Sequence, residues 1–147
     1  MKLYSPVEIT KRIKGLDARQ ITGIATSGVL VPAKQTPGQG SSRLYNKKNI
    51  LQIMVAAAVR GMLPIKQTKM LINYATQANK KWVFFQKGVE PNPYLLHASD
   101  ESISTLPVIP TDNPAYSVIN FEMNSPQAFM AFSIDIGSMK DFINKNF

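Results

Sequence analysis

Hydrophobic periodicity changes once along this chain, and that change limits the possible folds more than any other feature. Up to about Ala78 apolar residues recur every three or four positions, the period of an amphipathic helix. Beyond it they alternate, the period of a half-buried strand. Helices followed by strands predict an α+β chain of two domains, one at 1–78 and a small β-rich one at 79–147 that ends in a helix and serves dimerisation or sensing.

The helical segment is punctuated by caps and glycines. In "SPVEITKRI", Ser5 reads as an N-cap, Pro6 takes the first helical position and Glu8 closes a capping box. Ile9 and Ile13 share one face, and Gly15 ends the helix. "DARQITGIATSG" repeats the grammar: Asp17 caps, Gln20 sits at the third position, and Ile21, Ile24 and Ala25 form the apolar stripe before Gly28. Two short helices across a glycine turn predict a helix-turn-helix. Val29 to Val31 read as a strand that returns through Leu44 and Tyr45, with Pro37, Gly38 and Gly40 turning between them as a β-hairpin wing. Asn46 is placed to cap a third helix with Ile50, Ile53, Met54 and Ala57 inward, stopped by Gly61. Pro64 starts a fourth, with Ile65, Thr68, Leu71 and Ile72 inward.

In the second segment "WVFFQ" favours strand, and "YSVINFE" and "AFMAFSIDI" alternate, with Met130, Phe132, Ile134 and Ile136 on one face of the latter. Ser138 with Asp141 predicts the cap of a short last helix.

Charge divides at nearly the same point as periodicity. Residues 1–81 carry 14 Lys and Arg against only Glu8 and Asp17, a balance of +12; residues 82–147 carry three lysines against seven acids, −4. Such asymmetry predicts a half that binds nucleic acid and a half with another task. The absence of cysteine removes disulfides and thiolate chemistry. No apolar run approaches the roughly 20 residues of a membrane span, and "MKLYSPVEITKR" lacks the apolar core of a signal peptide, so no membrane partner and a cytoplasmic location are expected.

In a helix-turn-helix the second helix enters the major groove by its first turns. That puts Arg19, Gln20, Thr22, Gly23 and Thr26 off the apolar stripe as candidate contacts, with Arg suited to guanine or phosphate and Gln to adenine. In the wing, Lys34 and Arg43 are expected to flank the minor groove, and Tyr45 to anchor the return strand while its hydroxyl reaches a phosphate. Lys47 and Lys48 sit where a helix dipole favours negative charge; a polyanion nearby would offset the few tenths of a kcal/mol, roughly, that each costs there.

The stretch from Tyr4 to about Ala75 resembles the DNA-binding domain of MerR-type transcriptional regulators. "GLDARQITGIATSGVLVP" at residues 15–32 matches that family's turn, recognition helix and Gly-Leu-Leu-x-Pro positions. "SSRLYNKKNI" matches its Arg-x-Tyr and third-helix start, and "AVRGMLPIKQTKMLI" its following link and helix. The resemblance implies a winged helix-turn-helix with four helices and a hairpin wing, bound to double-stranded DNA. Where the family has Arg-Tyr-Tyr-Glu in the recognition helix, this chain has Thr22, Gly23, Ile24 and Ala25, so a usual phosphate-contacting tyrosine is missing at Gly23. Ser42 replaces the wing's first aromatic residue. The family's long dimerising helix is also absent, so a homodimer is expected through the C-terminal β-rich region, which also leaves room for an effector of unidentified chemistry.

Enzyme chemistry is not expected. His97, Ser99 and Asp100 lie in one short stretch and cannot easily converge as base, nucleophile and orienter. No acids show metal-ligand spacing, no cofactor is implied, and Met54, Met62 and Met70 read as core filler. Two other readings fit the same residues: an excisionase-like or architectural protein that bends DNA, and a protein-interaction adaptor whose winged helix no longer binds DNA.

Overall fold

The computed structural model describes residues 1–38, 42–77, 80–87, 94–99 and 130–147. Among these the chain is α+β, with five helices, a two-stranded antiparallel ribbon and a three-stranded antiparallel sheet.

Both amino-terminal helices begin as their caps dictate. In α1 (Pro6–Arg12) the Ser5 side chain accepts from Glu8 N–H, and Glu8 in turn accepts from Ser5 N–H at 2.8 Å. That backbone donor, and then the Ser5 hydroxyl, hold the Glu8 carboxyl below its ordinary pKa. In α2 (Ala18–Thr26) Asp17 and Gln20 exchange the same pair of bonds. Gly15, at φ 90°, makes the left-handed turn between them that a side chain would resist.

Val29 and Leu30 are not strand residues. They are buried in the turn after α2, while Val31 is 82% exposed. The ribbon instead pairs β1 (Lys34–Gln35) with β2 (Arg43–Leu44), Lys34 opposite Leu44 and Gln35 opposite Arg43. Pro32 has no N–H to give a ladder, which keeps the strand from starting earlier. Thr36 closes the ribbon, its N–H donating to Ser42 O at 3.1 Å and its hydroxyl accepting from Ser42 N–H at 2.8 Å. Gly40 of the expected turn lies outside the described residues.

Asn46 caps α3 (Lys47–Ala58), the centre of the molecule. Ile50, Ile53, Val55 and Val59 are fully buried, with Leu51 and Ala56 nearly so, because α2, α4 (Ile65–Ala75) and the last helix pack on different sides. Asn49 is the polar residue inside this packing. Its amide donates to Val31 O and Gln52 Oε1, both at 2.9 Å, pinning the turn after α2 to α3. On α4, Thr68, Leu71, Ile72 and Ala75 face inward, but Ile65 is 52% exposed rather than inward. Met62 and Met70 also stand at the surface instead of filling the core, since the neighbouring inward positions are already taken.

Strand β3 (Trp82–Lys87) lies between β4 (Tyr94–Ser99) and β5 (Met130–Asp135). Phe84 pairs with His97 on one side and Ser133 on the other. The expected strand "YSVINFE" and Asp100 lie outside the described residues. The alternation that ran to Ile136 breaks one residue sooner: Ile136 opens α5 (Ile136–Asn146), and Asp135 is its cap in place of Ser138. The Asp135 carboxylate accepts from Ser138 N–H at 2.9 Å and from the Ser138 hydroxyl at 2.7 Å, a stronger acceptor than a hydroxyl would be.

Helix α5 returns to the start of the chain. Tyr4 and Tyr45 exchange backbone bonds, and the Tyr4 hydroxyl donates to Phe147 O. The Tyr4 and Phe147 rings meet edge to face at 5.1 Å. The Arg12 guanidinium lies over both rings, at 5.2 and 5.0 Å, and donates to Asn146 O at 3.0 Å, placing a cation at the negative end of α5. Buried residues of both segments form one cluster, from Tyr4 to Ile143. Replacing Arg12 by Ala is expected to lower the free energy of unfolding by about 1 kcal/mol, read as a shift of the urea midpoint at constant slope.

Candidate nucleic-acid interface

Helix α2 buries Ile21 and Ile24 and turns Arg19, Thr22, Gly23 and Thr26 outward. Gln20 lies beside them, but its Oε1 accepts from Asp17 N–H at 2.9 Å. That capping bond occupies one acceptor position of the amide whose oxygen and nitrogen would together read adenine.

The ribbon is fastened to this face by one side chain. Arg43, half-buried on β2, donates through Nη1 to the Thr26 hydroxyl at 2.9 Å and to Thr22 O at 3.3 Å. Its first task is therefore to hold the ribbon against α2. The guanidinium's other two nitrogens make no bond among the described residues and keep their donors for an outside acceptor. Directly opposed residues share a ribbon face, so Gln35 lies on the side of Arg43 and Lys34 on the other. Lys34 is exposed there, and the two cations expected to flank a groove occupy opposite faces of the ribbon.

Tyr45 is not where a phosphate contact needs it. The residue is fully buried, and its hydroxyl has no hydrogen-bond partner among the described residues. Burial pushes the phenol above its ordinary pKa, partly opposed by the nearby Arg43 charge. Its ring anchors the return strand, as its aromatic character suggested, but the hydroxyl faces protein.

Lys47 and Lys48 are the first two residues of α3 and both are exposed. They line a groove with Leu51, Thr76, Lys140, Ile143 and Asn144, with no contribution from α2. The Lys140 ammonium donates to Gln77 O and Lys80 O, at 3.0 and 2.8 Å, and the loss of water around it lowers its pKa.

A second cleft, of about 260 Å³, runs between α2, the end of α3 and the start of α4. Gly23 and Arg60 both line it, a role for Arg60 that no local sequence signal announced. A Cβ on Gly23 would meet nothing within 4 Å among the described residues, so no close approach by them requires glycine there.

The two acids of the basic segment, Glu8 and Asp17, are both engaged in helix caps. Among the described residues no three His, Asp or Glu come together as metal ligands, and no helix is long and apolar enough to cross a membrane. Comparison of the chain with protein-family models and with curated proteins gives no match.

Two substitutions check this placement. Gly23→Ala is expected to stabilise the protein by about 0.5–1 kcal/mol in chemical denaturation, since the helix gains propensity without a clash. Tyr45→Phe is expected to be neutral or stabilising by about 1 kcal/mol at neutral pH, because it deletes an unpaired buried hydroxyl. Above about pH 10 the unfolded tyrosine loses its proton while the buried one keeps it, so the parent protein loses stability as pH rises. The Phe variant lacks that loss, and its advantage in denaturation midpoint grows with pH.

Proposed function

We propose that this chain is a sequence-specific DNA-binding transcriptional regulator of winged helix-turn-helix type, related in plan to the MerR-type regulators its first half resembles. Helix α2 enters the major groove and the β1–β2 ribbon lies beside it as the wing. The observation that carries this reading is the Arg43 bridge to Thr22 and Thr26, which makes helix and ribbon one unit. Around it, Arg19 and the free donors of Arg43 are offered to phosphate or guanine, and Lys34 extends the positive charge along the ribbon's other face. Both acids of the segment are withdrawn into caps, so neither is spent against these cations. A homodimer formed through residues 79–147 would present two such units to two half-sites.

Anisotropy titration with duplex DNA over a salt series tests the reading. Log K is expected to fall linearly with log salt, by about 0.9 for each phosphate neutralised. Arg19→Ala and Lys34→Ala should each flatten the slope by roughly one phosphate. Arg43→Ala should weaken binding more than either, because it also frees the ribbon. A slope near zero in the unaltered protein rejects DNA binding. Selection from random duplexes should return a consensus with two half-sites; weak preference alone would favour an architectural role.

A further inference from the structure

The groove between the start of α3 and α5 has features that the proposed DNA contacts do not explain. It encloses about 310 Å³, at the small end of the roughly 300–1,000 Å³ typical of small-molecule sites. Its floor is apolar: Leu51 and Ile143 are 5% and 3% exposed and contribute from facing helices. Its rim is cationic. Lys47 and Lys48 stand on the positive end of α3, where like charge is unfavourable, and neither is paired with an acid among the described residues.

Of the amides at the start of α3, Asn49 N–H is already taken by Asn46 Oδ1 at 2.9 Å. Lys140 contributes a wall, its ammonium donating to Gln77 O, just past α4, and to Lys80 O, just ahead of β3. For a ligand the groove offers two exposed point charges above an apolar patch. That combination selects a molecule with a negative head and a compact apolar body.

We infer that this groove is a binding site for a small organic anion, a phosphomonoester or carboxylate carried on a short apolar group. The anion meets Lys47 and Lys48, and the apolar body rests on Leu51 and Ile143. The site joins α3 to α5, so an occupant would bear on the relation between the basic segment and the C-terminal helix. The inference stands apart from DNA recognition, since neither α2 nor the ribbon lines the groove.

Calorimetric titration of the full chain, without DNA, tests it with phenyl phosphate, benzoate, inorganic phosphate and phenol. Phenyl phosphate or benzoate is expected to bind saturably, and about 10-fold or more tighter than inorganic phosphate or phenol, which each lack one half of the recognition. The order of the two binders tells whether the natural head group is phosphate or carboxylate. A Lys47→Gln, Lys48→Gln double variant should lose about 10-fold or more in affinity for the better binder. Asn144→Trp, which fills the groove from an exposed position, should weaken it as well. Lys34→Gln should leave it unchanged.

Absence of saturable binding overturns the inference. So does equal affinity for inorganic phosphate and phenyl phosphate, or an equal loss with Lys34→Gln, either of which means general charge attraction. A double variant that loses duplex DNA affinity but binds phenyl phosphate as before would assign the lysines to DNA and overturn it too.

Discussion

A helix that is apolar over most of its circumference cannot stand in water, and α3 is such a helix. Its buried residues include Ile50, Ile53, Val55, Ala56 and Val59, spread over more than one face. No single neighbour covers them, so α2, α4 and α5 must all be present. The position of α2, on which any DNA contact would rest, therefore follows from a need of α3. So does the return of α5 from the far end of the chain. Asn49 adds the polar part of this constraint, since its amide holds Val31 O where apolar packing alone would leave the turn free to slide.

The cation excess of the first segment has a structural reason for remaining uncompensated. Acidic side chains at helix starts accept backbone donors that would otherwise be lost to water. Glu8 and Asp17 do this work, and of the segment's lysines and arginines only Arg12 and Lys2 lie near enough to Glu8 to lower its pKa, as minor contributors. Arg12 and Arg43 are used as fasteners, one to the end of α5, the other to Thr22 and Thr26 of α2. The charge left over is what a polyanion or a small anion would meet.

Helix starts were legible because a capping box is decided within four residues. Ser5 with Glu8 and Asp17 with Gln20 form as their spacing says. Strand limits were less so. Val29 and Leu30 are β-branched or bulky and suit a ladder as well as a buried turn, and only the packing against α3 decides between them. Alternation through Ile134 and Ile136 hid the change from strand to helix, while the signal that settles it, an acid three residues before Ser138, was present but outweighed by periodicity. In the candidate site, the outward face of α2 followed from its stripe. Whether Tyr45 turned its hydroxyl out or in, and on which ribbon face Lys34 stood, depended on a strand register that no local rule supplies. The partnership of Gly23 with Arg60, and of Lys47 with Ile143, joins residues far apart in sequence and had no local trace at all.

Asp135 closes β5 and caps α5 with the same residue, and two positions later Gly137 N–H bonds to Lys81 O just ahead of β3. There is no connecting loop here to absorb motion. A strand that slid, or a sheet that tilted, would carry the helix with it like a crank on its shaft, and the helix in turn bears on α3. Mechanical stiffness at this one junction gives the carboxyl-terminal sheet direct leverage over the helical body.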